Sequence, residues 1–364
     1  MTKRRAIVCL AAGKSQILVI RKAQEMGFAI IAVDRNPEAP GFFLADERII
    51  ASTHDVKPIL KHLEKFMNRY TLSAIVNRSS GPPVVTAAEL STNLGLPGIS
   101  PDVARLVIDK GLLMDYCSRC GLPVPLSMTL VSSDCLNELE IPLPCVVKPA
   151  LSLLGKSGVR VVSSVDELTE AVEEARAASF KGRVVLESFV PGHNVSLVSF
   201  VRSGILEPVV LVDELNGADE ACRVYGAGMA VPSRFQGKKE EQLIINTAKE
   251  IISELKLDTT VCCMSFRCTN GGHPQLIEIH LDMGGDLILD QLLPASSFCD
   301  VLGYFIRGLT GERLFLSPSC FKPIAILFGK GDGLVLEKPY KILQSDTRED
   351  LEHLILLKEK NIRF

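Results

Sequence analysis

The sequence predicts an α/β protein built of several units, and three observations carry that prediction. The chain has 364 residues, 47% hydrophobic and 23% charged, too long for one simple core and ordinary in composition for a globular protein. Its first hundred residues alternate short apolar runs with amphipathic stretches in β-α-β order, expected to pair as parallel, right-handed units. From Ser100 the texture changes to helix, strand, loop, strand, helix, strand and then a hairpin, an α+β pattern.

The elements follow in order. Residues 6–12 read as a buried strand, 13–16 as a turn and 17–26 as a helix that Gly27 ends; a second strand over 28–33 closes at Asp34. A strand over 48–51, a helix over 56–69 and a strand over 74–76 extend the unit. The loop 77–83 leads to a helix over 84–94 that Gly95-Leu96-Pro97-Gly98 stops. Ser100 reads as an N-cap before Pro101, and one helix is expected to run through Lys110 to Cys120 before Gly121-Leu122-Pro123 breaks it. Strands at 145–149 and 183–187 flank a helix over 165–178 in a compact lid. A hairpin over 195–212 turns at Ser203-Gly204. A helix over 240–255 precedes strands over 260–268 and 275–282, joined by Asn270-Gly271-Gly272-His273. Residues 323–328 and 331–337 read as a small terminal β unit. The expected domains are 1–105, 106–190, 191–320 and 321–364.

Composition removes several function classes. A net charge of −3 gives no global attraction to nucleic acid or anionic membrane, and the absence of Trp with 5% aromatics argues against base-stacking surfaces. The basic start before the apolar run 6–13 superficially resembles a signal peptide, but Lys14 stops it early, and no apolar run approaches membrane-spanning length. Eleven cysteines scattered among apolar neighbours fit reduced, buried thiols in a cytoplasmic protein. Cys117-Ser118-Arg119-Cys120 has CxxC spacing, but with no second pair or nearby histidines it reads as structural. No nucleic-acid or membrane partner is expected; a homodimer is compatible with the composition.

Two nucleotide motifs fail on their spacing. Asp34 follows Gly13 by about 20 residues, as a dinucleotide-binding acid would, yet Ala11-Ala12-Gly13-Lys14-Ser15-Gln16 lacks the other glycines of GxGxxG. Gly-Lys-Ser occurs at 13–15 and 155–157, but the earlier glycine of a P-loop falls on Val8 and Ala150.

The chemistry gathers further along. Cys145-Val146-Val147-Lys148-Pro149 is a buried strand ending in a lysine, whose alternative reading is an amine that snorkels to solvent. The next residues decide between them. Ser152, Gly155, Lys156, Ser157 and Gly158 offer backbone N–H groups, hydroxyls and a positive charge suited to phosphate oxygens. Glu187-Ser188-Phe189-Val190-Pro191-Gly192 then reads as a strand end and hinge able to pair with an adenine edge. Strand periodicity puts Glu278, His280 and Asp282 on one face, and Cys263, Ser265 and Arg267 on another. A polar triad alternating with Ile279 and Leu281 is a functional pattern.

Lys110, Lys148, the loop 151–158, the hinge and Ile277-Glu278-Ile279-His280 together resemble the ATP-grasp superfamily over most of the chain. The resemblance implies an ATP-grasp fold: a Rossmann-like N-terminal domain, an α+β lid and a C-terminal α+β domain. It implies ATP with Mg²⁺ (Mn²⁺ an alternative), Lys110 and Lys148 on the phosphates, and Glu187, Ser188, Phe189 and Val190 at the adenine. Asn194 stands near the usual ribose-binding acid and offers a hydrogen bond without charge. The resemblance also implies a metal site, and there the chain departs from the pattern. Glu278 supplies the acid of the second strand, Ser265 replaces that of the first, and His280 and Asp282 occupy the Asn and Arg positions. Either Asp282 restores the carboxylate, with Arg267 steadying an acyl phosphate, or the protein binds nucleotide without efficient turnover; the working site is the reading adopted. Met283-Gly284-Gly285-Asp286-Leu287-Ile288 resembles the loop of carboxylate–amine ligases, including L-amino-acid ligases, so Gly284, Gly285 and Asp286 are expected at the substrate. The implied activity is amide formation between a small carboxylate and an amine through an acyl phosphate. The alternatives are a regulatory nucleotide binder and an enzyme of this family that uses another nucleophile.

Overall fold

The computed structural model describes residues 3–131, 141–152, 156–269, 271–284, 287–297, 299–312, 316, 321–329 and 339–358, and the backbone of 362–363. Strands β1 (Arg4–Leu10), β2 (Ala29–Asp34), β3 (Glu47–Ile50) and β4 (Tyr70–Asn77) form a parallel sheet in the order β3-β2-β1-β4. Ala6 to Leu10 are buried on both faces, since a continuous apolar run has no polar face to show water. Helices α1 (Ile17–Glu25), α2 (Val56–Glu64) and α3 (Pro82–Leu94) complete this unit, and Gly95 ends α3 in the left-handed region at φ 63°.

Where the pattern reads as one helix over 101–120, two form: α4 (Pro101–Ile108) and α5 (Lys110–Arg119). Ser100 caps α4 through Val103 N–H, as its place before Pro101 suggests. Asp109 then leaves helical geometry at φ −103°, ψ 107°, accepts the Leu112 N–H and pairs with Arg183 Nη1 at 2.6 Å. A side chain 74 residues further along the chain therefore stabilises the break. Its consequence is that Lys110 opens α5, with its N–H held 2.8 Å from Ala150 O beside the end of the Lys148 strand.

The lid is an antiparallel sheet, ordered β5-β8-β6-β7, of β5 (Ser127–Leu130), β6 (Cys145–Pro149), β7 (Arg160–Val162) and β8 (Val184–Ser188). Helix α6 (Val165–Ala178) covers it, with Leu168, Ala171 and Ala175 against Val147 and Leu186.

The large sheet is antiparallel. It is made of β9 (His193–Arg202), β10 (Ile205–Ala218), β11 (Val224–Val231), β12 (Thr260–Cys268), β13 (Gln275–His280), β14 (Ile324–Phe328) and β15 (Tyr340–Gln344), in the order β13-β12-β9-β10-β11-β14-β15. The short β16 (Ile362–Arg363) pairs the far end of β10. Residues 323–328, read from sequence as part of a terminal unit, thus lie mostly within an interior strand of this sheet, while 331–337 and Asn270 lie outside the described residues. Strand β13 stops at His280, two residues short of the expected end, and a bulge lets Ser265 face Glu278 while Phe266 faces Leu276. The elements β5, β11, α8 (Leu293–Ser296), α9 (Val301–Leu309) and α10 (Arg348–Lys358) are not anticipated from the pattern.

One face of the large sheet presents Val195, Leu197 and Leu211 to α7 (Lys239–Leu255) and to α4 and α5. The other face is divided along its strands. Val198, Phe200, Val210, Val212 and Val261 form a core with α9 and with Ile7 and Ile20 of the N-terminal unit. Further along the same strands the inward positions turn polar, leaving this half of the face to the site.

The N-terminal unit is also clamped to the region after β13. The Arg78 side chain, 1% exposed, donates through Nη1 to Asp290 Oδ1 at 3.0 Å and to Ser15 O at 2.8 Å, through Nε to Gly284 O at 3.1 Å, and through Nη2 to the second Asp290 oxygen. Asp290 sits in a π-helical turn, Ile288–Leu292. Removing one partner of a buried bidentate pair strands the other charge, at about 3–5 kcal/mol. Arg78→Met is therefore expected to lower the unfolding free energy measured by urea titration by that much; a change under about 1 kcal/mol would show that the pair does not hold the units together.

Candidate functional site

On the open half of the divided face, register brings Asn194 opposite Arg267 and Ser196 opposite Ser265, with Ser265 opposite Glu278 and Cys263 opposite His280. The lid and the start of α5 stand over this row. Ser80, Lys110, Ser152, Glu278, His280 and Asp282 line one cleft. The structure thus brings together residues expected at the phosphates and at the metal.

Glu278 meets Lys110 Nζ at 3.3 Å and His280 Nε2 at 3.4 Å. Burial favours the neutral acid, but Lys110, His280 and Lys148 outweigh it and hold the Glu278 carboxyl well below the usual range. Burial of His280 likewise opposes its charge, and Glu278 and Asp282 overcome that penalty, raising the imidazolium pKa to about 9. Asp282, 4% exposed and beyond the strand end, accepts from Ser80 Oγ at 2.9 Å and from Gly284 N–H at 2.8 Å. Gly284 itself is in the left-handed region at φ 58°, while Gly285 and Asp286 lie outside the described residues.

Lys148 does not snorkel. It is 4% exposed, 2.6 Å from Glu187 Oε1 and 3.4 Å from Ile277 O. Of the hinge, Ser188 N–H donates to Leu126 O at 2.8 Å and Phe189 N–H to Pro144 O at 3.1 Å. Val190 N–H has no such bond among the described residues, which leaves it and the hinge carbonyls as the groups able to meet a base edge. Gly192, at φ 126°, makes the turn into β9, where a Cβ would stand 2.5 Å from Cys268 O. Arg267 lies at the hinge end of the face, 5.1 Å over the Phe189 ring and 3.0 Å from Asn194 Oδ1.

The loop residues divide. Ser157 is exposed, Gly155 lies outside the described residues, and Gly158 is explained by packing, since a Cβ at its φ of 70° would come 2.8 Å from Ala178 Cβ. Lys156 reaches Glu214 Oε2 at 3.2 Å and Asn216 Oδ1. Glu214 is the site residue missed from sequence. Its Oε1 accepts from Ser196 Oγ at 2.5 Å and Ser265 Oγ at 2.7 Å, so the position expected to hold an acid holds a hydroxyl that binds one. Burial would raise its pKa, but Lys156 and the two serines bring it below the ordinary value against the opposing charge of Glu278. The signal was present: Val210, Val212, Glu214 and Asn216 alternate along β10, which runs to Ala218 rather than ending at Val212.

Among the described residues no three His, Cys, Asp or Glu side chains stand close enough to hold a metal ion by themselves. Ionised Glu278, on a cleft that Lys110 also lines, nevertheless fits a hard cation that takes its remaining oxygens from a bound polyphosphate.

Two outcomes are expected. Lys148→Ala should cost about 3–5 kcal/mol of stability as well as nucleotide affinity, because it strands buried Glu187. The double substitution Lys148→Met with Glu187→Gln should regain most of that stability in urea titration without regaining affinity. Full stability in Lys148→Ala would mean that the pair carries no weight. The second outcome concerns His280, whose proton is taken up above the ordinary value of 6.5. The stability this proton contributes is fully present below about pH 6.5 and fades as pH rises through about 9. In protein free of nucleotide and metal, the His280 ring resonance should titrate near 9, and Glu278→Gln should bring it to 6.5 or lower; a native midpoint near 6.5 would contradict the pairing.

Residues 109–281 match the family model described as carbamoyl-phosphate synthase L chain, ATP binding domain. The formate-dependent phosphoribosylglycinamide formyltransferase of Geobacter metallireducens is 27% identical over 215 residues, 54% of this chain and 51% of that protein, so the chain spans about half the length of this relative. The L-amino acid ligase of Bacillus licheniformis shares the fold at a TM-score of 0.79 with 13% identity, covering 100% of this chain and 98% of that one. The N5-carboxyaminoimidazole synthetase of Staphylococcus aureus, complexed with ADP, gives 0.77 with 14% identity and 98% of each chain. No helix of the described residues is long and apolar enough to cross a membrane. The three sheets, the cleft under the lid and the family match over residues 109–281 identify the ATP-grasp fold in this chain.

Proposed function

We propose that the protein is an ATP-dependent carboxylate–amine ligase acting on a small, amino-acid-like substrate. The observation that carries the reading is the cluster of Lys110, His280 and ionised Glu278 on one cleft, with buried Lys148 behind it close enough for its charge to act on Glu278, cations and a carboxylate arranged as a polyphosphate with a hard metal ion would require. Lys110 and Lys148 hold the phosphates, with Ser152 beside them on the cleft. Val190 N–H and the hinge carbonyls meet the adenine, with Phe189, Asn194 and Arg267 beside it. Glu278 is the chief metal ligand, with Asp282 behind it; Mg²⁺, when bound, neutralises charge on the transferring phosphoryl group.

A substrate carboxylate oxygen attacks the γ-phosphorus as the bond to ADP breaks, giving an acyl phosphate. The amine nitrogen then attacks the acyl carbon, phosphate leaves, and the amine proton passes to solvent. Catalysis rests on positioning and on preorganised charge, with no covalent bond to the protein. His280, cationic at neutral pH, adds charge beside the phosphoryl group where the family usually has a neutral amide.

One observation favours a second reading, a regulatory nucleotide binder: Lys110 and His280 already neutralise Glu278. Incubation with ATP, Mg²⁺ and a panel of amino acids, followed by mass spectrometry, separates the two. The ligase reading expects ADP together with a new amide, and Glu278→Gln is expected to lower kcat by about 10²–10³-fold, the order lost with a preorganised transition-state charge. ATP binding with no product would favour the binder, and ADP without an amide a different nucleophile.

A further inference from the structure

Both oxygens of Glu214 are taken. Two serine hydroxyls donate to Oε1, and the Lys156 ammonium stands 3.2 Å from Oε2 while also bonding Asn216. The Glu214 side chain is only 9% exposed. The lysine is delivered there by backbone pairing. Val224 N–H donates to Val159 O at 2.9 Å and Val161 N–H to Cys222 O at 3.1 Å, which fastens the chain just after Lys156 to the β10–β11 hairpin. Its stem crosses Gly226, where a Cβ would stand 4.0 Å from Lys156 Cε.

Glu214 and Glu278 lie on one face and feel each other's charge. Two such carboxylates would each suit a divalent ion, but an ammonium and a hydrated cation are alternatives at one carboxylate oxygen. Glu278 holds its cations at 3.3 and 3.4 Å on the cleft, where a polyphosphate competes for them. Glu214 has no such freedom, since its other oxygen is saturated and its lysine has a second anchor in Asn216.

Resting on the ligase reading above, we propose that Lys156 is a built-in cation at Glu214, so that the nucleotide complex takes up one divalent ion, at Glu278, rather than two. Lys156 is then a positioning residue that fixes metal stoichiometry. The full chain is saturated with the β,γ-imido analogue of ATP, bound nucleotide is measured by calorimetry, and bound Mn²⁺ is counted by electron paramagnetic resonance. The expected count is one Mn²⁺ per nucleotide in the native protein, one in Lys156→Arg and two in Lys156→Met; adding Glu214→Gln to Lys156→Met should return it to one. Two ions in the native protein overturn the proposal, as does an unchanged count in folded Lys156→Met that binds nucleotide, or a failure of the native protein to bind nucleotide. The count needs no turnover. A native protein that binds one ion yet forms no amide removes the ligase reading and leaves the assignment of Lys156 standing.

Discussion

Three acids at the site, Glu187, Glu214 and Glu278, are each matched by a cation from another part of the chain, and the arrangement of the site depends on that requirement. A carboxylate removed from water without a partner costs several kcal/mol or gives up its charge. Lys148 of β6 answers Glu187 of β8; Lys110 at the head of α5 and His280 answer Glu278; Lys156 of the loop answers Glu214. The break at Asp109 and the pairing of Val159 and Val161 with the β10–β11 hairpin bring Lys110 and Lys156 to these acids. Lys110 and Lys156 join helix and loop to the large sheet through charge, beside the apolar packing of α5 on the opposite face. The same pairs leave cations at the positions an anionic ligand would need, with little reorganisation left for the moment of binding.

The division of one sheet face between core and site follows from strand geometry. Side chains two apart share a face, so a strand can be apolar for one half of its length and polar for the other without turning over. Phe200 and Val198 lead to Ser196 and Asn194; Val261 and Cys263 lead to Ser265 and Arg267; Val210 and Val212 lead to Glu214 and Asn216. The apolar halves are buried under α9 and the N-terminal unit, which makes the polar halves rigid without covering them. The Arg78–Asp290 clamp performs a related service at the edge, holding the Gly284 backbone between the two units.

The exchange of acid for hydroxyl at Ser265 is a change of place as much as a loss. The carboxylate reappears as Glu214 on β10, reaching across β9 through Ser196 to the same region of the face. A pattern read along β12 alone therefore registers a deficit that the sheet as a whole does not have.

The sequence by itself determined the elements with strong local signals. The apolar strands of the N-terminal unit, the Ser100 cap, the Gly95 stop, the Ser203-Gly204 turn and the Lys148 strand all rest on neighbouring residues, and local periodicity or capping is enough to specify them. Tertiary structure decided the rest. The break at Asp109 needs Arg183, 74 residues away. The length of β10 and the meaning of Glu214 need β9, β12 and Lys156. The burial of Arg78 needs Asp290, 212 residues on. In each case the deciding term is a charge or hydrogen bond between segments far apart in the chain, and its energy exists only once the fold has removed water from between them.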